Sequence, residues 1–161
     1  MGAAKMYLET SLFQFYYETG QASHLQKLTE QARQVFALIK THKLEAYASP
    51  YVTRELVNIG DSERGEKMWQ LIDEYGIRIL ETNLETEKLA ALYIAEEAVP
   101  AAAFFEAAHI AITVIHRLDY MVSLNFAHIL RPWTIERVRR VNVRQARGGI
   151  GIYKPAEVVK L

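Results

Sequence analysis

The chain has 161 residues, with 19 Lys plus Arg balanced by 19 Asp plus Glu, and half of its residues are hydrophobic. This balance excludes wholesale disorder and suits one domain with a sizeable core, expected over residues 1–161 with 1–4 set aside as a candidate tag remnant. The absence of Cys excludes disulfides, thiolate zinc sites, iron–sulfur clusters and cysteine nucleophiles, and agrees with an expected cytoplasmic location.

The run Lys5–Glu9 predicts a short buried strand, followed by the polar pair Thr10-Ser11 and an aromatic cluster of Phe13, Phe15, Tyr16 and Tyr17. At helical spacing part of that cluster must face the core, and the remainder is a candidate surface for a partner. Leu25, Leu28, Ala32, Val35 and Leu38 predict a helix from Ser23 to Lys40, with Ser23 as its cap. Glu45–Ser49 predicts a second strand, and Ser49-Pro50 opens a helix carrying Glu55 and ending at Gly60. Asp61-Ser62 caps the next helix, which runs to Gly76. Strand character returns at Ile77–Leu80, and a helix follows over Asn83–Glu97.

Pro100 is expected to start a long apolar helix through Ile115. Its Pro100, Glu106 and His109 speak against a membrane span, which needs about 20 mostly uncharged residues. Tyr120–Ser123 predicts a fourth strand, and Thr134 is expected to cap an Arg-rich helix broken by Gly148-Gly149. Ile150–Tyr153 closes the series as a last strand, and Pro155 opens a terminal turn. Strands separated by helices imply right-handed crossovers and a mostly parallel sheet covered on both faces, a three-layer α/β/α sandwich. In such sheets ligands bind beyond the carboxyl ends of the strands.

Four residues are candidates for that sheet edge. Glu9 closes the first strand, Glu55 lies near the start of the helix after the second, Glu106 interrupts an apolar helix, and Asn125 follows the fourth strand. Oxygen donors of this kind suit Mg²⁺ or Mn²⁺, which polarise a phosphodiester and acidify a bound water. Each residue also has an ordinary alternative, as a strand-end carboxylate, a surface pair or an exposed helix-end charge. Charge is uneven too: residues 131–161 hold 8 basic and 2 acidic side chains, against 11 and 17 in residues 1–130. The arginines of that tail, Arg131, Arg137 and Arg140 among them, form a solvated helix face, a phosphate-contacting patch or a dock for an acidic partner. Glu106 and His109 make a single Glu-x-x-His, and the second copy a di-iron bundle needs is missing. His109 and His116 suit packed structural roles, and His128 is placed to orient the Asn125 turn.

Met6-Tyr7-Leu8-Glu9-Thr10-Ser11 resembles the opening strand of PIN-domain nucleases, in which an apolar run precedes Asp, then Thr or Asn, then Ser. Ser49-Pro50-Tyr51-Val52-Thr53-Arg54-Glu55 is similar to their second element, and Glu106-Ala107-Ala108-His109-Ile110-Ala111 to their Asp-Ala-x-His-Ile-Ala motif. Ser123-Leu124-Asn125-Phe126-Ala127-His128-Ile129 resembles their Trp-Asn-x-x-His-Ile turn, with Leu124 in place of Trp. VapC-like toxins are the nearest group. The resemblance implies a PIN-like α/β/α sandwich and a Mg²⁺- or Mn²⁺-dependent endoribonuclease, commonly homodimeric and silenced by a small antitoxin protein. It places Glu9, Glu55 and Glu106 as a metal-binding, catalytic acidic triad, Asn125 as the fourth catalytic position, and Thr10 or Ser11 as supports of the first carboxylate. Arg131, Arg137 and Arg140 would hold the RNA. Glu stands at two positions that are usually Asp, Glu9 and Glu106, and each adds a methylene and a rotor. The substitutions fit either a widened site or a scaffold that binds protein or RNA without cleaving it.

Overall fold

The computed structural model describes residues 2–161. Its elements in chain order are β1 (Ala4–Leu8), α1 (Thr10–Tyr16), α2 (Ser23–Lys40), β2 (Leu44–Ala48), α3 (Pro50–Val57), α4 (Ser62–Glu74), β3 (Arg78–Ile79) and α5 (Leu84–Ala95). They continue with α6 (Phe104–Ile115), β4 (Tyr120–Val122), α7 (Pro132–Arg144), β5 (Gly151–Tyr153) and α8 (Pro155–Val158). The five strands form one sheet in the order β3-β2-β1-β4-β5, and every pairing is parallel. Met6 is paired with Ala46 on one side and with Tyr120 on the other, so β1 is the central strand.

Both neighbours and both faces of β1 are covered, and its residues Met6, Tyr7 and Leu8 are fully buried. A strand in that position reads as a continuous apolar run rather than an alternation. Right-handed crossovers put α1–α4 on one face, where the chain steps from β1 to β2 to β3, and α5–α7 on the other. The packing follows that division: α1 lies on α2, α3 and α4, and α5 lies on α6 and α7. The strand order reverses between β1 and β4, which makes the carboxyl ends of these two strands the topological switch point.

Some expected boundaries move. The N-cap of α2 is Ala22, and the Ser23 hydroxyl makes no capping bond. Pro100 sits in a turn, where its carbonyl accepts from Ala103 N at 2.9 Å, and α6 begins only at Phe104. The reason is the reversal into α6: α5 terminates with Glu97 in the left-handed region at φ 59°, and the next residues turn the chain back. Thr134 does not cap α7. Arg131 is the cap residue and Pro132 the first helical position, where its fixed φ is already suitable. The Thr134 hydroxyl, fully buried, instead donates to Ala98 O at 2.6 Å and ties α7 to the α5–α6 connection. α7 ends before the glycines, with Ala146 at φ 54°.

The aromatic cluster is largely satisfied internally. Phe13 is buried, Tyr16 meets Tyr17, Phe36 and Tyr75 edge to face, and the Tyr16 and Tyr75 hydroxyls lie 2.9 Å apart. Among the described residues no helix is long and apolar enough to cross a membrane.

Candidate active site

Glu9 stands at the switch point. Its amide continues the β1–β4 ladder by donating to Val122 O at 3.1 Å, and its side chain is only 4% exposed. A buried carboxylate needs donors, and two hydroxyls supply them. Ser11 Oγ donates to Glu9 Oε1 at 2.5 Å, and Ser123 Oγ donates to the same oxygen at 2.6 Å. The serines are held in turn, because Ser11 Oγ accepts from Leu124 N at 2.8 Å and Ser123 Oγ accepts from Asn125 N at 2.9 Å. Glu9 is thus fixed from both strands that flank the switch point.

Glu55, on α3, is brought to the same edge by Thr10, the residue next to Glu9. Thr10 Oγ1 donates to Glu55 Oε1 at 2.7 Å, and His109 Nε2 lies 2.6 Å from that oxygen. Beyond His109 a buried chain continues: Nδ1 is 2.6 Å from the Tyr7 hydroxyl, which is 2.7 Å from Ser49 Oγ. Ser49 caps α3 by accepting from Tyr51 N at 3.1 Å. The Glu55 carboxylate, which can only accept, sets the direction of the chain, because a neutral His109 ring must then carry its proton on Nε2. Ser49 spends its own proton on Tyr7, Tyr7 donates to Nδ1, and we assign the ring proton to Nε2, where it points at Glu55. Every polar atom along the line then has a partner, as burial demands. Burial pushes the Glu55 carboxyl up, but the hydrogen bonds from His109 and Thr10 outweigh it and hold the carboxyl below its ordinary value.

Glu106 is placed differently. It lies in the first turn of α6, one turn before His109, and its only polar contact among the described residues is His128 Nδ1 at 3.5 Å. Asn125 turns its side chain inward on its own loop, where Oδ1 accepts from His128 N at 2.9 Å. Asn125 therefore orients His128, the reverse of the expected relation. His116 has a structural bond, Nε2 to Glu81 O at 2.7 Å. Tyr7, Ser49 and Ser123 were not among the expected site residues. The one signal for Ser123 was its position directly after β4, which mirrors that of Ser11 just past β1.

Thr10 and Ser11 have divided their work, Ser11 holding Glu9 and Thr10 holding Glu55. The arginines lie elsewhere. Arg139 and Arg140 both reach Glu136, Arg144 reaches Glu96, Arg147 reaches Glu85, and Arg137 donates to Glu97 O at 2.8 Å. Partly exposed Glu136 is pulled down to about 2, first by the Arg139 bond. The groove along this face, about 560 Å³, is lined by Glu96, Glu97, Arg137, Arg139, Arg140, Val143 and Arg144, and holds none of the three site carboxylates. Of the three expected RNA-binding arginines, Arg137 and Arg140 belong to this paired face. Arg131 alone sits in the loop that leaves the switch point.

No protein-family model matches the chain, and no curated protein matches its sequence. Among solved structures it is similar to the Mycobacterium tuberculosis toxin VapC20, described as cleaving the sarcin–ricin loop. That likeness has a TM-score of 0.55 at 14% identity, over 72% of this chain and 86% of the other. What the two chains share is the fold, the α/β/α sandwich on a parallel sheet that the PIN-domain resemblance of the sequence implies. In this PIN fold the carboxylates described above occupy the carboxyl-terminal sheet edge, where a parallel sheet presents its ligand site.

The residues can be tested against the divalent ion the fold implies. Among the described residues no group of three His, Cys, Asp or Glu is arranged to hold a metal ion, so Glu9, Glu55 and Glu106 do not close into the expected three-carboxylate site. Magnesium commonly takes only one or two carboxylates and completes its shell with water and substrate phosphate. Glu9 and Glu55 fit that demand. Each has Oε1 engaged by hydroxyl or imidazole, each has a second oxygen, and no Lys or Arg among the described residues pairs with either.

Proposed function

We propose that this protein is an endoribonuclease that hydrolyses RNA phosphodiester bonds with Mg²⁺ or Mn²⁺, in the manner of a toxin paired with an antitoxin. The observation that carries the proposal is the pair Glu9 and Glu55 at the switch point, oriented by hydroxyls and an imidazole and left without a basic counter-ion. Two carboxylates in this state repel a phosphodiester, so RNA can approach only with a cation between them. Glu9 and Glu55 would hold that cation, with Glu106 and Asn125 at the rim. Bound there, the ion would polarise the phosphodiester and provide an activated water.

The protein's own contribution is orientation. Ser11 and Ser123 take up the rotational freedom of Glu9, and His109 fixes Glu55 through a proton line anchored at Ser49. Such supporting partners typically govern about 10- to 100-fold in metal affinity or activity. The VapC20 likeness adds the substrate class, since that protein is described as cleaving an RNA loop. An antitoxin partner, a homodimer, a cytoplasmic location and a single domain over residues 1–161 belong to the same proposal.

The test is cleavage of a mixed RNA pool with and without Mn²⁺, alongside melting temperature. The expected result is Mn²⁺-dependent cleavage, lost in Glu9→Gln and Glu55→Gln, with a Mn²⁺-induced rise in melting temperature that both variants lose. A second reading, a PIN scaffold that binds without cleaving, is favoured by one observation, the loose placement of Glu106 against His128. Cleavage-free protein with no response to Mn²⁺ would establish it.

A further inference from the structure

The loop from Leu124 to Arg131 leaves β4 at the switch point and enters α7. Its inner side is anchored: Leu124 and Ile129 are buried, and Ile129 N and Leu130 N both donate to Asn125 O, at 3.1 and 3.0 Å. Its outer side is not apolar by accident of sequence alone, because the same turn that buries Ile129 leaves Phe126 49% exposed. Across the loop Trp133, in the first turn of α7, is 48% exposed. The Arg131 guanidinium lies over the Trp133 ring, 4.2 Å from its centre, and Arg131 Nε donates to Thr134 Oγ1 at 3.2 Å. Thr134 is itself bonded to Ala98 O, so the cation is held in place from the buried side of the helix. Trp133 thus has one face covered by Arg131, and its exposure belongs to the rest of the ring.

The Phe126 end of this loop adjoins the carboxylates. Phe126 is three residues from Ser123, which bonds Glu9, and three residues span at most about 11 Å. His128, between the two aromatics in sequence, contacts Glu106. We propose that Phe126 and Trp133, with Arg131, form a stacking platform for unpaired bases of a single-stranded RNA segment whose phosphodiester lies at Glu9 and Glu55. The proposal deepens the nuclease function and rests on it for the position of the scissile bond. Single-stranded recognition is what such a surface suits: bases splayed from a loop stack on aromatic rings and guanidinium planes, which a duplex keeps covered. It also accounts for Arg131, the one arginine of the tail that pairs with a ring instead of a carboxylate.

The chain has two tryptophans, so Trp69→Phe leaves Trp133 as the sole indole reporter. With Ca²⁺ in place of Mg²⁺ or Mn²⁺, to bridge the carboxylates and the phosphodiester, and with the RNA checked for integrity on a gel, the fluorescence of this variant is titrated with a 12-nucleotide single-stranded RNA, with its duplex and with inorganic polyphosphate. The expected result is quenching by the single strand only, with affinity about 5- to 150-fold weaker after Phe126→Ala. Equal quenching by duplex or polyphosphate, or none with RNA, would overturn the platform. Cleavage is read separately, with Mn²⁺, on a mixed RNA pool. Phe126→Ala and Trp133→Phe should change which unpaired sites are cut; an unchanged cleavage pattern also overturns the platform and leaves the nuclease intact. Cleavage that survives Glu55→Gln defeats the nuclease instead, while quenching still decides the platform.

Discussion

Tyr7→Phe removes a single oxygen from the centre of the fold and tests the proton line that aims His109 at Glu55. The ring of Tyr7 is fully buried and Phe fills the same space, so no cavity opens. What is lost is the hydroxyl between His109 Nδ1, at 2.6 Å, and Ser49 Oγ, at 2.7 Å. His109 Nδ1 is then stranded in an apolar interior, at a cost of about 1–3 kcal/mol. Ser49 keeps its bond from Tyr51 N and loses only the acceptor for its own proton, which places its share at the low end of the same range. Together the two give about 3 kcal/mol, or a fall in melting temperature of roughly 6–12 °C for a chain of this length. The assay is urea denaturation, in which the midpoint should fall while the slope stays constant, because the buried surface does not change. Ser49→Ala and the double variant complete a cycle, and their coupling should exceed about 0.5 kcal/mol. With the ring no longer held from its Nδ1 side, His109 is a less firmly oriented donor to Glu55, and cleavage should fall about 10- to 100-fold. A Tyr7→Phe protein within 0.5 kcal/mol of the parent would refute the assigned line.

Glu55 is held below its ordinary pKa in the folded chain, so its ionised form contributes stability that is complete above the unfolded value near 4.5 and is lost as the pH falls through the lower folded value. Glu55→Gln should therefore flatten the acid limb of a stability–pH curve, and an unaltered limb would show that the His109 and Thr10 bonds do not favour the carboxylate. Arg140→Ala should leave RNA affinity and its salt dependence unchanged within about twofold, because Arg140 is exposed and shares Glu136 with Arg139. A salt slope smaller by about one unit would restore the phosphate-contacting role to α7.

The sheet was legible because its strands are short apolar runs punctuated by Pro, Gly and capping residues, as Ser49-Pro50 and Gly76 show. Caps were less legible where a hydroxyl had another use. Thr134 has the side chain of a cap, yet Pro132, two positions before it, already starts the helix, and the hydroxyl goes to Ala98 across the layer. The candidate site shows the same division. Glu9 at the end of β1 and Glu55 on the helix that follows β2 could be placed from the sequence, since topology brings both to one edge. Their partners could not, because Tyr7, Ser49 and His109 meet across 42 to 102 residues of sequence. The pairing of the arginine tail was hidden for a related reason: each charge is visible in the sequence, but Glu85, Glu96 and Glu136, which pair with four of them, are scattered.

The two Glu residues at positions where PIN domains usually carry Asp are not equivalent. An added methylene moves a carboxylate by about 1.5 Å and adds a rotor that must be fixed for chemistry. At Glu9 the rotor is fixed, because Ser11 and Ser123 converge on one oxygen at 2.5 and 2.6 Å. Those serines are themselves held by the Leu124 and Asn125 amides, so they cannot follow a shortened side chain. Glu9→Asp should thus break both bonds, destabilise the fold by about 1–3 kcal/mol and reduce cleavage. At Glu106 the rotor is opposed only by the 3.5 Å contact with His128, a half-exposed ring. Glu106→Asp should leave stability within about 0.5 kcal/mol of the parent and retain or increase cleavage, since little is given up and one loose bond is removed. Denaturation and Mn²⁺-dependent cleavage of the two variants side by side decide the matter. If Glu9→Asp proves harmless while Glu106→Asp abolishes cleavage, the serine clamp is incidental and the immobilised carboxylate of the site is Glu106.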